Sequence, residues 1–263
     1  MSWMKEYVEK SDCGLTVLQT NGDSVKTILF CEEQFLKGKN VRPQFPGRNV
    51  GLMFGLESSL HPFIGHPSYK DISHLPLNER LSIMRDPAFK QKILNESPSF
   101  REDLQKAAKE QKSNKTKEEI KAEAEIGKKL ISNYETQFIL SDPPNYEPTR
   151  EDSIAYLAEQ RNQSEEEVIY DELIKDDGKS LIYACFTPYE NHKLKFVETF
   201  YKLKSSVAGG SDGGAHCGLI CDASMPTTNL SHWARDRSAG NKIPLELIIS
   251  CLLYTSDAAD DET

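Results

Sequence analysis

Ser205-Ser-Val-Ala-Gly-Gly-Ser-Asp-Gly-Gly-Ala-His216 closes a short apolar run with four glycines around one serine and one aspartate. The glycines allow the backbone to turn sharply and to approach whatever the Asp212 carboxylate faces. An acid at the carboxyl end of a buried strand is where α/β enzymes place catalytic groups. The same residues also suit a glycine-rich β-turn in which Asp212 makes only local hydrogen bonds. The spacing alone favours neither interpretation.

Length and composition limit the class of protein. The chain has 263 residues, a formal net charge of -9 and 38% hydrophobic residues, which predicts one globular unit with or without an appended subdomain. The acidic balance, without a basic patch, argues against a nucleic-acid partner, and the apolar run Ile243–Tyr254 is too short to span a bilayer. Met1–Glu6 lacks the layout of a secretory signal. Six cysteines without framework spacing predict free thiols and a cytoplasmic protein.

The first part of the chain, residues 1–57, has the pattern of a βαβ segment. Residues 2–10 show helical spacing, and Leu15–Gln19 then reads as a buried strand. A helix from Val25 is expected to stop at Gly38, before strand-like segments begin at Val41 and at Val50. Strand, helix and strand in this order indicate a parallel sheet.

The rest of the chain divides into a helical insertion and a second α/β segment. Strand signals vanish over residues 58–133, which we interpret as an insertion of helices. Over residues 134–250 the pattern of strands returns, with the clearest buried strand at Ser180–Phe186. A helix through Leu194 and Tyr201 then leads to Val207-Ala208, again in the order strand, helix, strand.

Two groups of histidines invite a metal interpretation. His61 and His66 lie in a segment with two prolines and a glycine, which exclude the helix that usually presents paired histidines, and no cysteine or carboxylate lies at ligand spacing. We therefore expect structural roles for both. His216 with Cys217 and Cys221 lacks a second ligand pair and is not expected to form a structural zinc site.

Ser211 matches a second catalytic pattern. Gly209–Gly213 fits the G-x-S-x-G turn on which serine hydrolases carry their nucleophile. That turn needs a helix directly after the serine, followed by an acid and a histidine. Asp222 and His232 follow too closely to be separated by a strand and a helix, which makes this the weaker alternative. Further on, Arg235 could hold a substrate carboxylate through paired hydrogen bonds, or could form a surface ion pair with Asp236.

Several motifs together resemble those of N-acyl-D-amino-acid deacylases, in the amidohydrolase superfamily. They follow one another in a consistent order within residues 15–249, so the resemblance is more specific than any single motif. The motifs are Leu60-His-Pro-Phe63, Pro67-Ser-Tyr69, Leu75-Pro-Leu-Asn-Glu-Arg80, Met84-Arg-Asp-Pro87, Gly210-Ser-Asp-Gly-Gly-Ala-His216, Cys221-Asp-Ala-Ser-Met-Pro-Thr227 and His232-Trp-Ala-Arg-Asp-Arg237.

The resemblance implies an α/β fold of the (β/α)8 TIM-barrel type in which metal-activated water, usually on zinc, attacks an amide carbonyl. Asp212 would correspond to the family's acid after the last barrel strand, as general acid/base and as a metal contact. Ser211, His216 and Arg235 would bind the substrate, a small N-acyl amino acid. A carboxylate beside metal-bound water is a suitable proton carrier.

The chain departs from the family in two respects. The His-x-His or His-x-Asp metal motif and the bridging mid-barrel ligand are absent from it, and Gln19 and Gln44 stand at strand ends where ligands are expected. Neutral amides are poor zinc ligands. We interpret the chain as the C-terminal half of a barrel, predicted to be inactive by itself. A degenerate barrel that binds a ligand without turnover remains an alternative.

The last residues carry a different signal. Cys251-Leu-Leu-Tyr-Thr-Ser-Asp-Ala-Ala-Asp260 can be back-translated into a continuous sequence that resembles a transposon-derived sequencing adapter. We therefore expect residues 251–263 to lie outside the natural sequence and to contribute nothing to the fold.

Overall fold

The computed structural model describes residues 2–11, 13–19, 25–99, 116–187, 189–211, 218–220 and 222–256. The fold is mixed α/β, with more helix than strand and two small three-stranded sheets. In chain order the elements are α1 (Ser2–Lys10), β1 (Leu15–Leu18), α2 (Val25–Leu36), β2 (Val41–Phe45), β3 (Val50–Phe54), α3 (Pro67–Ile72), α4 (Leu77–Met84), α5 (Pro87–Leu94), α6 (Lys117–Ser132), β4 (Gln137–Ile139), α7 (Ile154–Arg161), α8 (Glu165–Leu173), β5 (Ile182–Thr187), α9 (Lys195–Phe200), β6 (Val207–Ala208), α10 (Met225–Thr228) and α11 (Leu245–Ser256). A π-helix, Asn229–Asp236, continues α10.

The described chain forms two compact units where the sequence predicted one. The first unit contains residues up to 50 together with 187–211 and 222–256, and the second contains 51–186 together with 218–220. The helical insertion predicted over residues 58–133 therefore shares the second unit with β4 and most of β5. No helix in the described part of the chain has both the length and the apolar content that a bilayer crossing requires.

The sheet of the first unit confirms the strand-helix-strand part of the predicted segment 1–57, but the strand that begins at Val50 belongs to the sheet of the second unit. β1 and β2 are parallel, with Leu15 opposite Val41 and Leu18 opposite Gln44, and β6 adds to the other edge of β2 in the same direction. Helix α2 packs on this sheet through Phe30 and Cys31, as its apolar spacing predicts. β1 is an edge strand whose residues alternate between half-buried and exposed, so the prediction of a buried strand there is wrong.

The sheet of the second unit corrects another expectation. Its order is β3-β5-β4, and β4 runs antiparallel to β5, with Phe138 opposite Tyr183. The order β5-α9-β6 predicted a second parallel βαβ unit, but β5 and β6 belong to different sheets. The reason is that β6 pairs with β2, whose edge opposite β1 is open to it.

Helices supply most of the core of the second unit. Residues 58–99 and 116–133, the described part of the predicted insertion, hold helices α3 to α6 and no strand, which confirms their helical character. Ile93, on α5, is fully buried in this core. Tyr170, on α8, is also fully buried, and its hydroxyl donates to the Met84 carbonyl at 2.7 Å. Helix α6 begins with a capping box between Thr116 and Glu119.

Helix α11 continues past residue 250 to Ser256. Residues 251–263 were expected to contribute nothing to the fold, and the part of them in this helix corrects that expectation. Cys251 is 6% exposed, and the fully buried Ile248 lies one turn earlier in the same helix. The run from Ile243 is apolar enough to form a buried helix whatever the origin of its last residues.

Candidate functional site

The carboxyl ends of three parallel strands meet at one edge of the first unit's sheet. The backbone N–H of Gln19, directly after β1, donates to the backbone carbonyl of Gln44 at 2.7 Å. The backbone N–H of Gly209, directly after β6, donates to the backbone carbonyl of Phe45 at 2.9 Å. The glycine-rich stretch therefore leaves the sheet beside Gln19 and Gln44, as the sequence predicts, and it can be followed to Ser211. Asp212 and His216 lie outside the described residues.

A cavity of about 280 Å³ opens at this edge, and we call it the strand-end cavity. Carboxyl ends of parallel strands are where α/β proteins bind their ligands. The polar side chains that the described residues contribute to its wall are two neutral amides and one hydroxyl. The residues that line it are Gln44, Ala208, Gly209, Gly210, Ser211, Met225, Pro226, Asn229 and Leu252.

Both amides lie directly against glycines. A Cβ added to Gly209 would come 2.0 Å from Gln44 Nε2, and a Cβ added to Gly47 would come 1.8 Å from Asn229 Oδ1. Any larger residue at either glycine would displace the amide. Gly210 has a second reason to be glycine, since its φ of 82° lies in the left-handed region.

One helix face carries Asn229 and fixes its position. Met225, Asn229 and Trp233 recur every four residues across α10 and the π-helix, and all three are buried. The Gly47 amide donates to Met225 Sδ at 3.2 Å, and Trp233 Nε1 donates to the Gly47 carbonyl at 2.6 Å. Sequence reasoning missed this face. The four-residue recurrence is visible in the sequence, but no helix is predicted from it between Val207-Ala208 and Arg235.

A buried ion pair joins the loop after β2 to the segment before α10. Arg48 Nη1 lies 2.9 Å from Asp222 Oδ1, and the two side chains are 0% and 2% exposed. A buried charge needs an opposite charge close by, because removing it from water is costly. The pair therefore holds the two chain segments that approach the strand-end cavity.

The predicted partners of Ser211 are engaged elsewhere. Asp222 belongs to the ion pair with Arg48, and His232 sits edge-on to Trp233 with ring centroids 5.6 Å apart. Ser211 itself is half-buried and lines the strand-end cavity. The described residues thus place Ser211 in the cavity without the acid and histidine that a serine nucleophile requires.

Arg235 is not in the wall of the strand-end cavity. Its side chain is 75% exposed and makes a two-point interaction with Asp236, at 2.6 Å and 2.7 Å. Arg237, two residues on, is buried, bonds the Asn241 carbonyl at 2.7 Å and stacks 4.3 Å above the Trp233 ring. In this conformation neither guanidinium is available to a carboxylate in the cavity.

The described residues do not fit the zinc site that the resemblance implies. No group of three or more His, Cys, Asp or Glu side chains within them is arranged to hold a metal ion, and Gln44 and Asn229 in the cavity are neutral amides. His61 has a structural role, as predicted. It is 1% exposed, accepts the Phe63 amide at Nδ1 over 3.3 Å and lies edge-on to Tyr69. Its burial lowers the pKa to about 3.

Comparisons with protein-family models, with curated proteins and with solved structures found no match to the chain.

Proposed function

We propose that the strand-end cavity binds the amide group of an N-acyl-D-amino acid, and that the protein is a hydrolase that removes the acyl group. The observation that carries this proposal is the pair of amide side chains, Gln44 and Asn229, in one cavity at the carboxyl edge of a parallel sheet. The next residue after the described part of this loop is Asp212. The ordered motifs from Leu60 to Arg237 support the choice of substrate.

The wall of the cavity suits recognition of an amide. A side-chain amide offers one carbonyl acceptor and two N–H donors, so it can pair with both ends of another amide. Asn229 is 2% exposed, and its Oδ1 has no hydrogen-bond partner among the described residues. Leaving a buried acceptor unpaired costs about 1–3 kcal/mol. A substrate N–H bonded to Asn229 would remove that cost.

Asp212 supplies the proton transfer in this proposal. Its carboxylate takes a proton from a water molecule while the water oxygen bonds to the acyl carbon. The same carboxyl group then gives the proton to the nitrogen as the C–N bond breaks, so a carboxylic acid and a free amine leave. Ser211 and His216 are proposed to shape the site. Arg235 takes no part in this proposal, because its guanidinium is paired with Asp236 and lies outside the cavity wall. No step is assigned to zinc, because the described residues do not fit it, and the proposed contact of Asp212 with a metal depends on the resemblance.

A second candidate function is binding without turnover. The observation that favours it is that the polar side chains which the described residues bring to the strand-end cavity, those of Gln44, Asn229 and Ser211, are neutral. Neutral amides bind and orient a ligand but do not carry protons at neutral pH.

One experiment separates these functions. Calorimetry would measure binding of N-acetyl-D-methionine and its L-enantiomer to the 263-residue chain, and release of acetate would be followed with and without added Zn²⁺. Asn229→Leu is expected to weaken binding about tenfold or more through the lost hydrogen bonds, while Asn78→Leu, at an exposed position on α4, leaves it unchanged. Binding with acetate release that Asp212→Asn abolishes supports the hydrolase and overturns the prediction that this chain is inactive by itself, whereas binding without release supports the second candidate. Absence of binding contradicts both.

A further inference from the structure

A second cavity lies within the second unit, and none of its lining residues belongs to the strand-end cavity. Its volume is about 200 Å³. It is lined by apolar side chains, among them Phe63, Leu94 and Ile131, by His66, and by further polar and charged residues that include Glu96, Lys128 and Glu166. We call it the His66 cavity.

His66 brings an unmatched polar atom to this cavity. His66 is only 8% exposed, and its Nδ1 is buried with no hydrogen-bond partner among the described residues. Burial lowers the pKa of the imidazole, against smaller opposing effects from Glu96, from the Phe63 backbone and from Glu166. The ring is therefore neutral at neutral pH, and a buried neutral nitrogen without a partner is uncommon in folded proteins.

The other described polar groups at the His66 cavity are bonded within the chain or, like the Lys128 side chain, exposed to solvent. Glu96 accepts from the Ser68 amide at 2.9 Å, and the Tyr134 hydroxyl donates to Glu166 at 2.8 Å. Since these carboxylates are engaged, they leave His66 as the polar group that a ligand would satisfy.

We propose that the His66 cavity binds a small uncharged alcohol or phenol, with its hydroxyl group bonded to His66 Nδ1 and its apolar body against Phe63, Leu94 and Ile131. A hydroxyl both donates and accepts hydrogen bonds, so it satisfies the nitrogen in either tautomer of the neutral ring. A wall that combines apolar side chains with a few polar groups is the usual construction of a small-molecule site. This binding site is independent of the strand-end cavity and of the hydrolase proposal.

The test compares three probes that differ in one group. Phenol, anisole and toluene would be titrated into the full chain by calorimetry, with the imidazole nitrogens followed by ¹⁵N NMR. Phenol is expected to bind saturably and about tenfold more tightly than toluene, as one hydrogen bond predicts, and to shift the nitrogen signals of His66. Anisole can accept a hydrogen bond but cannot donate one. Its affinity should equal that of toluene if Nδ1 is an acceptor, and that of phenol if Nδ1 carries the proton.

His66→Phe should reduce the affinity for phenol to that for toluene, while His74→Phe, at an exposed position outside the cavity, leaves it unchanged. Thermal melting would show whether each variant folds. If His66→Phe does not fold, the comparison of the three probes on the unmodified chain tests the proposal. The proposal is overturned if phenol does not bind saturably, which would mean that water alone occupies the cavity. It is equally overturned if phenol and toluene bind alike, or if phenol shifts another histidine instead of His66.

Discussion

Gln44 and Gly209 lie in direct contact at the carboxyl edge of the parallel sheet, where a Cβ on the glycine would come 2.0 Å from Gln44 Nε2. The register explains why, because Gln44 pairs with Val207 and the chain reaches Gly209 two residues later. The strand β6 thus ends in a residue without a side chain at the point where an amide from β2 needs space.

Gly209→Ala should displace the Gln44 amide from its present position. We expect the affinity of the strand-end cavity for N-acetyl-D-methionine to fall about tenfold, the equivalent of roughly one lost hydrogen bond. Calorimetry measures the effect. Gly127→Ala is the matched control, because nothing lies within 4 Å of a Cβ at that helical position. Equal affinities for Gly209→Ala and the unmodified chain would show that Gln44 does not contribute to binding.

Arg48→Met should destabilise the first unit strongly. It leaves Asp222 as a buried charge without its ion-pair partner, which costs about 3–5 kcal/mol. Both tryptophans, Trp3 and Trp233, belong to the first unit, so their fluorescence during urea unfolding reports on it.

The control for this variant is Arg85→Met, since Arg85 pairs with Asp177 on the surface at 3.1 Å with both side chains more than half exposed. Surface pairs contribute at most about 1 kcal/mol, and circular dichroism would follow that variant because Arg85 lies in the second unit. A loss below 1 kcal/mol for Arg48→Met would contradict the importance of the buried pair.

Glu198 should make the first unit sensitive to acid. A hydrogen bond from Lys202 is the main reason that its pKa falls from 4.5 to about 2, helped by Lys195 and Arg237. A carboxylate with a depressed pKa stabilises the fold above its unfolded pKa and loses that contribution as the pH falls through the folded pKa. We expect Glu198→Gln to cost about 1–2 kcal/mol at pH 7, after allowance for solvent screening.

The difference between Glu198→Gln and the unmodified chain should shrink between about pH 5 and pH 2, the interval between the two pKa values. Urea unfolding monitored by tryptophan fluorescence at several pH values measures it. Glu6→Gln, in an exposed pair with Lys10, should show little effect at any pH. A difference that stays constant down to pH 2 would mean that Glu198 acts through packing instead of charge.

Local sequence signals predicted the elements of this fold better than their pairing. The apolar spacing after Val25 and the glycine at position 38 gave α2 its correct limits, because a helix needs only its own residues to bury one face. Whether β6 pairs with β2 or with β5 depends on residues far away in the sequence. The two residues of β6, Val207 and Ala208, are too few to show a pattern that predicts the partner.

The same distinction applies to the candidate site. Gln44 and the glycines at 209 and 210 were predictable, since strand ends and glycine clusters are local features. The position of Asn229 in the cavity wall was not predictable, because its contact with Gly47 depends on a π-helix. Helices of this type are rare and have no strong sequence signal. The sequence left two roles open for Arg235, a contact with a substrate carboxylate and a surface ion pair with Asp236. The structure shows the ion pair.

Ser211 should not react as a serine nucleophile. The acid and histidine that follow it in the sequence, Asp222 and His232, are held by Arg48 and against Trp233, and a serine hydroxyl without an adjacent base is a weak nucleophile. Incubation with a fluorophosphonate probe, followed by mass spectrometry, is therefore expected to leave Ser211 unmodified. Trypsin serves as the positive control for the probe and Ser211→Ala as the negative one. Stoichiometric labelling that disappears in Ser211→Ala would favour a serine hydrolase and would require a base from the residues between 212 and 217, His216 being the candidate.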